Sequence, residues 1–149
     1  MYKFLSASEC MMTRYVELEN CETGKVELCF DDSDLRHDDQ KDFWFMQIGA
    51  LYECKILLFG LAFDLSDEEA MEQNRILCET TSRELIICEA LENMFVGNLE
   101  VISVMNNGNV YYVATDDIKN IKDKKRFAFR FSRKDLIQVD DVISPRYLR

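Results

Sequence analysis

Apolar and polar residues alternate along two neighbouring stretches near the start of the chain. Over 12–19, Met12, Val16 and Leu18 share one side with Arg14, while Thr13, Tyr15, Glu17 and Glu19 share the other. Period two with one wet side is the signature of a half-buried strand. Residues 25–30 alternate again, with Val26, Leu28 and Phe30 on one side, and Asn20-Cys21-Glu22-Thr23-Gly24 between them supplies turn chemistry. Two such runs around a short glycine-containing loop predict a hairpin. Phe43, Trp44, Phe45, Met46 and Ile48 then form a dense apolar cluster, broken by Gly49. Residues 52–63 are almost wholly apolar apart from Glu53, Lys55 and Gly60, which predicts a central strand buried on both faces and bent at Gly60.

Two helix starts follow. Ser66-Asp67-Glu68-Glu69 fits a capping box with acids in the first turn, where the helix dipole favours them. Thr81-Ser82-Arg83-Glu84 fits again, and Gly97 sits where a helix-terminating glycine belongs, so 82–96 reads as helix in preference to strand. Strand patterns return over 99–105 and 110–114, flanking Asn106-Asn107-Gly108-Asn109, and Asn-Gly is the strongest short hairpin signal. Residues 126–132 alternate strictly, 136–143 form the last strand candidate, and Pro145 ends regular structure. The order predicts a β-rich α+β fold: a small curled antiparallel sheet or OB-like barrel with one or two helices. Residues 1–149 read as a single globular domain with a short tail from about 145.

Composition adds little to that picture and removes several alternatives. The chain has 149 residues, 48% hydrophobic and 31% charged, with five Gly and one Pro. Such a mixture fills a core, which excludes disordered and collagen-like chains. No apolar run approaches the ~18–20 residues of a membrane-crossing helix. The first residues form no sustained apolar stretch, so a secretory leader is not expected and a cytoplasmic location is. Cys10, Cys21, Cys29, Cys54, Cys78 and Cys88 show no CxxC spacing, and the single His37 is next to no Cys. Reduced, mostly buried thiols are therefore expected, with no metal and no cofactor. No nucleophile elbow, phosphate loop, dinucleotide loop or HExxH motif occurs, so the chain reads as noncatalytic.

Charge is the strongest global signal. The net charge is −10, divided between about −16 over 1–118 and +6 over 119–149. An acidic body favours basic or neutral partners and repels nucleic acid and anionic membrane at long range. The segment 31–42 carries six Asp against Arg36 and Lys41, beside Phe43, Trp44 and Phe45, three consecutive rings that cannot all face inward. Its acids fail the calcium-loop pattern, because Arg36 and His37 stand at the fifth and sixth positions from Asp32. Asp31, Asp32, Asp34, Asp38, Asp39 and Trp44 are thus the expected partner-binding residues: acids to steer a basic protein and a ring to anchor it. The function expected is a noncatalytic binding module of the inhibitor, immunity or adaptor type, as a monomer or weak dimer. The alternative is an OB-like nucleic-acid binder using 124–134. There Lys124, Arg126, Arg130 and Lys134 lie on the face opposite Phe127, Phe129 and Phe131.

Overall fold

The structure, a computed structural model, describes residues 1–10, 13–31, 43–121 and 125–148. The strands are β1 (Tyr2–Cys10), β2 (Thr13–Asn20), β3 (Val26–Asp31), β4 (Leu51–Tyr52), β5 (Cys54–Phe63), β6 (Glu84–Val96), β7 (Leu99–Asn106), β8 (Asn109–Ala114), β9 (Arg126–Val139) and β10 (Val142–Ile143). One α-helix, α1 (Glu68–Thr80), and short 3-10 helices at Thr115–Ile121 and Pro145–Tyr147 complete the chain. Two compact units are interleaved along the sequence without a linker: 1–57 with 95–99 and 134–149, and 58–94 with 100–133.

The first unit is an antiparallel sheet in the order β4-β1-β2-β3, followed by the end of β9, which meets β3 in parallel at Phe30 and Asp135. Its core holds Phe4, Val16, Leu18, Phe43, Ile56, Leu136 and Ile137. β1 has no counterpart in the alternation pattern, because an irregularity between Phe4 and Ser6 shifts its pairing with β2 and scrambles the period. Residues 145–148, read from the sequence as a tail, are tied down: the Asn98 N–H donates to the Tyr147 carbonyl at 2.6 Å.

The second unit is the closed five-stranded barrel. Its ring runs β9-β5-β8-β7-β6 and back to β9, where 84–89 of β6 pair antiparallel with 126–131. The fold is therefore β-rich α+β, with an OB-like barrel. Cys88, Val101, Val104, Tyr111, Val113, Phe127 and Phe129 fill its core. Gly60 makes closure possible: a Cβ there would overlap the Arg130 carbonyl of β9, so only glycine admits the approach. α1 is capped by Asp67, whose carboxylate accepts from the Ala70 N–H at 3.0 Å.

Three expectations need correction. Residues 84–96 form strand, not helix, because the Leu85-Ile86-Ile87-Cys88 run is taken up by pairing with β9, and tertiary pairing overrides the capping signal. Gly97, φ +60°, consequently turns the β6–β7 hairpin. The apolar run 52–63 is split at Glu53 and buried on both faces only over 56–58, since Phe59 and Leu61 emerge to solvent. The Asn107-Gly108 hairpin is as expected, with φ of +49° and +81° at its two central positions. Gly108→Val should lower stability by about 1 kcal/mol or more. Gly60→Ala should cost about 1–3 kcal/mol through overpacking. Both are read from the urea midpoint, and an unchanged midpoint for either variant contradicts the geometry.

Candidate protein-binding face

Hairpin pairing of β2 with β3 runs from Arg14 opposite Asp31 to Glu19 opposite Val26. Residues directly opposite share a face, and successive residues alternate. One face therefore carries Arg14, Val16, Leu18 and Asn20 with Glu27, Cys29 and Asp31, and all seven are buried. The other carries Tyr15, Glu17 and Glu19 with Val26, Leu28 and Phe30. The apolar row of β3 is thus the wet one: Val26 is 47% and Leu28 56% exposed, while Glu27 between them is 0%.

Ion pairs account for this inversion. Arg14 enters the core with Val16 and Leu18, and Asp31 lies directly across the ladder with Oδ2 2.7 Å from Arg14 Nη1. Glu27 meets the Lys134 ammonium at 2.6 Å and that of Lys25 at 3.5 Å. A slip of one residue would turn Val26 and Leu28 inward but leave Arg14 and Lys134 without these carboxylates. Removing one member of a buried pair costs roughly 3–5 kcal/mol, more than about 1.5–3 kcal/mol for burying one aliphatic side chain. The turn adds its own hold, as the Asn20 side-chain carbonyl accepts from the N–H groups of Glu22 at 2.9 Å and Thr23 at 3.3 Å. Burial, and then the charge of Glu27, hold the Cys29 thiol well above its ordinary pKa. It stays protonated at neutral pH and is a poor nucleophile.

On the outward face Tyr15 meets Phe30 edge to face, ring centres 5.6 Å apart. Glu17 is opposite Leu28 and Glu19 opposite Val26, with Ser6 and Lys3 respectively continuing these rows onto β1. The surface is an apolar strip edged by carboxylates. Its shape suits an apolar anchor, and its charge suits a basic neighbour.

The residues nominated from sequence divide differently. Asp31 is turned into the core and ion-paired with Arg14, so its charge does not belong to the surface where the sequence puts it. Asp32, Asp34, Asp38 and Asp39 lie outside the described residues. Of the three consecutive rings, Phe43 is fully buried, while Trp44 is partly exposed and receives the Arg14 guanidinium 4.8 Å from its ring centre. Phe45 is exposed against the edge of Tyr52. In the basic strand Phe127, Phe129 and Phe131 are buried as alternation requires, Arg126 is exposed, Lys134 is spent on Glu27, and Lys124 lies outside the described residues. Arg130 bonds the Asn74 side chain. Rings that sequence reasoning placed in a buried strand instead meet these cations: Arg130 stands over Phe63 and Arg133 over Phe59, each 5.3 Å from the ring centre.

Among the described residues, Cys21, Cys29, Cys54, Cys78 and Cys88 are free thiols, and no group of three or more His, Cys, Asp or Glu is placed to hold a metal ion. Cys54 and Cys88 are each pushed up to about 12, by burial first. No helix among the described residues is long and apolar enough to cross a membrane. No family model, curated protein or solved structure matches the chain, so geometry alone carries the functional reading.

Asp31→Ala should lower stability by about 3–5 kcal/mol, because Arg14 stays buried without its partner. Glu17→Gln should change it by no more than about 0.5 kcal/mol. Equal urea midpoints for the two variants contradict the ion-pair account.

Proposed function

We propose that the chain is a noncatalytic binding module that engages a basic protein partner through the outer face of β2 and β3. Tyr15, Val26, Leu28 and Phe30 are the anchor, and Glu17 and Glu19 supply the local charge. One observation carries this reading: β3 keeps Glu27 and Asp31 inside and its apolar row outside. A sheet built merely to be stable would do the reverse, and exposed apolar strips rimmed by polar groups mark interaction sites. Along the chain, β3 leads directly into 32–42, whose five Asp against Arg36 and Lys41 add long-range attraction for cations. That keeps the expected steering role for Asp32, Asp34, Asp38 and Asp39, with Trp44 beside the segment, and moves the anchor to the sheet.

The test is capture from a lysate of the source cells on immobilised wild type, on Val26→Ser/Leu28→Ser and on Phe59→Ser. A partner retained by wild type and Phe59→Ser, released by raised salt, and bound at least tenfold more weakly by the double variant is the expected result. Tenfold corresponds to about 1.4 kcal/mol, modest for two anchor side chains. A partner held equally by the double variant overturns the reading.

A second reading, nucleic-acid binding by the barrel, is favoured by one observation: Phe59 and Phe63 share a surface with Arg133 and Arg130. Rings and cations together are what a single-stranded platform uses. A labelled oligonucleotide should then bind at low salt, lose affinity steeply by 200 mM, and release from Phe59→Ser. No binding at 50 mM salt removes this reading.

A further inference from the structure

We infer that the partner binds by strand addition: an extended segment with alternating basic and apolar residues pairs with the open edge of β3 at Val26 and Leu28. This rests on the outer-face reading and names the backbone chemistry that completes it. The Asn20 N–H donates to the Lys25 carbonyl at 2.8 Å, which makes 20 and 25 a hydrogen-bonded pair. With the observed register, the hydrogen-bonded pairs continue as 18 with 27, 16 with 29 and 14 with 31. Val26, Leu28 and Phe30 are the intervening positions, whose N–H and C=O turn away from β2. At Phe30 that outer edge is taken by β9, through its parallel bridge to Asp135. Among the described residues, ladder pairing on this edge stops there, and Val26 and Leu28 offer their backbone groups beside exposed side chains.

Open strand edges are normally guarded by charge, often an inward-pointing one that pairing would bury. Glu27 does not guard this edge in that way. It is already fully buried against Lys134, so an added strand imposes no further desolvation on it. Charge also selects the occupant. A second copy would set Glu17 and Glu19 against their equals, and one net charge of −10 against another, which disfavours self-pairing. An incoming strand lies about 4.8 Å from β3 and about 10 Å from β2. On the outward face its Lys or Arg side chains lay their methylene stems along Val26 and Leu28 and reach across to Glu17, while the alternating apolar residues turn to the opposite face, the side of Glu27 and Cys29. Peptides added to a sheet edge in this manner draw affinity from main-chain bonds and specificity from alternate side chains.

The probe is an octapeptide of alternating lysine and valine, titrated into the full chain at low salt while backbone amide exchange is followed. Protection of the Val26 and Leu28 amides is expected, with at least tenfold weaker binding of the same peptide N-methylated at alternate residues. Leu28→Pro removes an outward N–H and leaves the β2 ladder whole, so it should fold and bind at least tenfold more weakly. Val26→Pro, at the first residue of the strand, serves the same purpose should Leu28→Pro not fold. Wild type that fails to bind the peptide at millimolar concentration, or proline variants that bind it as well as wild type, overturn strand addition. Protection of the Leu28 amide by dimerisation without peptide overturns the choice of occupant. Failure of the face itself is a separate result: it is read from the Val26→Ser/Leu28→Ser variant, which keeps both amides.

Discussion

Two buried ion pairs, Arg14 with Asp31 and Glu27 with Lys134, set the register on which the amino-terminal sheet depends. Buried pairs of this kind add little net stability, because desolvation offsets their attraction. Their value lies in what they forbid. A one-residue slip that buries Val26 and Leu28 leaves the Arg14 guanidinium in the core without Asp31 and takes Glu27 away from Lys134. The sheet therefore gives up the burial of an apolar row in order to hold that row at the surface, where the proposed partner meets it.

The barrel solves a different problem. It leaves no open edges within its ring, since β6 and β9 join its ends, and its constraint is steric rather than ionic: at Gly60 two backbones come too close for any side chain. Asn74, buried on α1, carries the helix onto β9 through the Arg130 guanidinium, and its own amide N–H donates to the Ala70 carbonyl at 2.7 Å. A closed ring with satisfied edges suits a scaffold, whereas the open edge in the other unit suits recognition.

Much of this was legible in the sequence. The β2–β3 hairpin, the Asn107-Gly108 turn, the helix after 66–67 and the burial of Phe127, Phe129 and Phe131 all follow from local patterns that fold as they read, although the helix cap is Asp67 and not the Ser66 of the capping box. Residues 84–96 misled because a four-residue apolar run fits helix and strand alike, and only its pairing with β9 decides. The binding face misled for another reason. Alternation tells which side chains of β3 share a face but not which face is wet, and hydrophobicity alone would point to the wrong one. A clue was present in Arg14: its place in the inward row of β2 demands an acid directly across the hairpin, and the loop length puts Asp31 there, bringing Glu27 inward with it. Phe59 and Leu61 could not be read as exposed, because nothing in a local apolar run tells a strand that one of its faces is left uncovered.

Cys29 reports on the inversion directly, since it lies on the buried row of β3 between Glu27 and Asp31. Mass-resolved alkylation of the native chain at pH 8, with exposed Cys21 as internal reference, measures its accessibility. The inverted sheet predicts that Cys21 is modified promptly while Cys29 reacts only on unfolding, at a rate that follows added urea. Modification of Cys29 in the native state as fast as Cys21 would place Val26, Leu28 and Phe30 inside, and would contradict the account of the fold and of the face it presents.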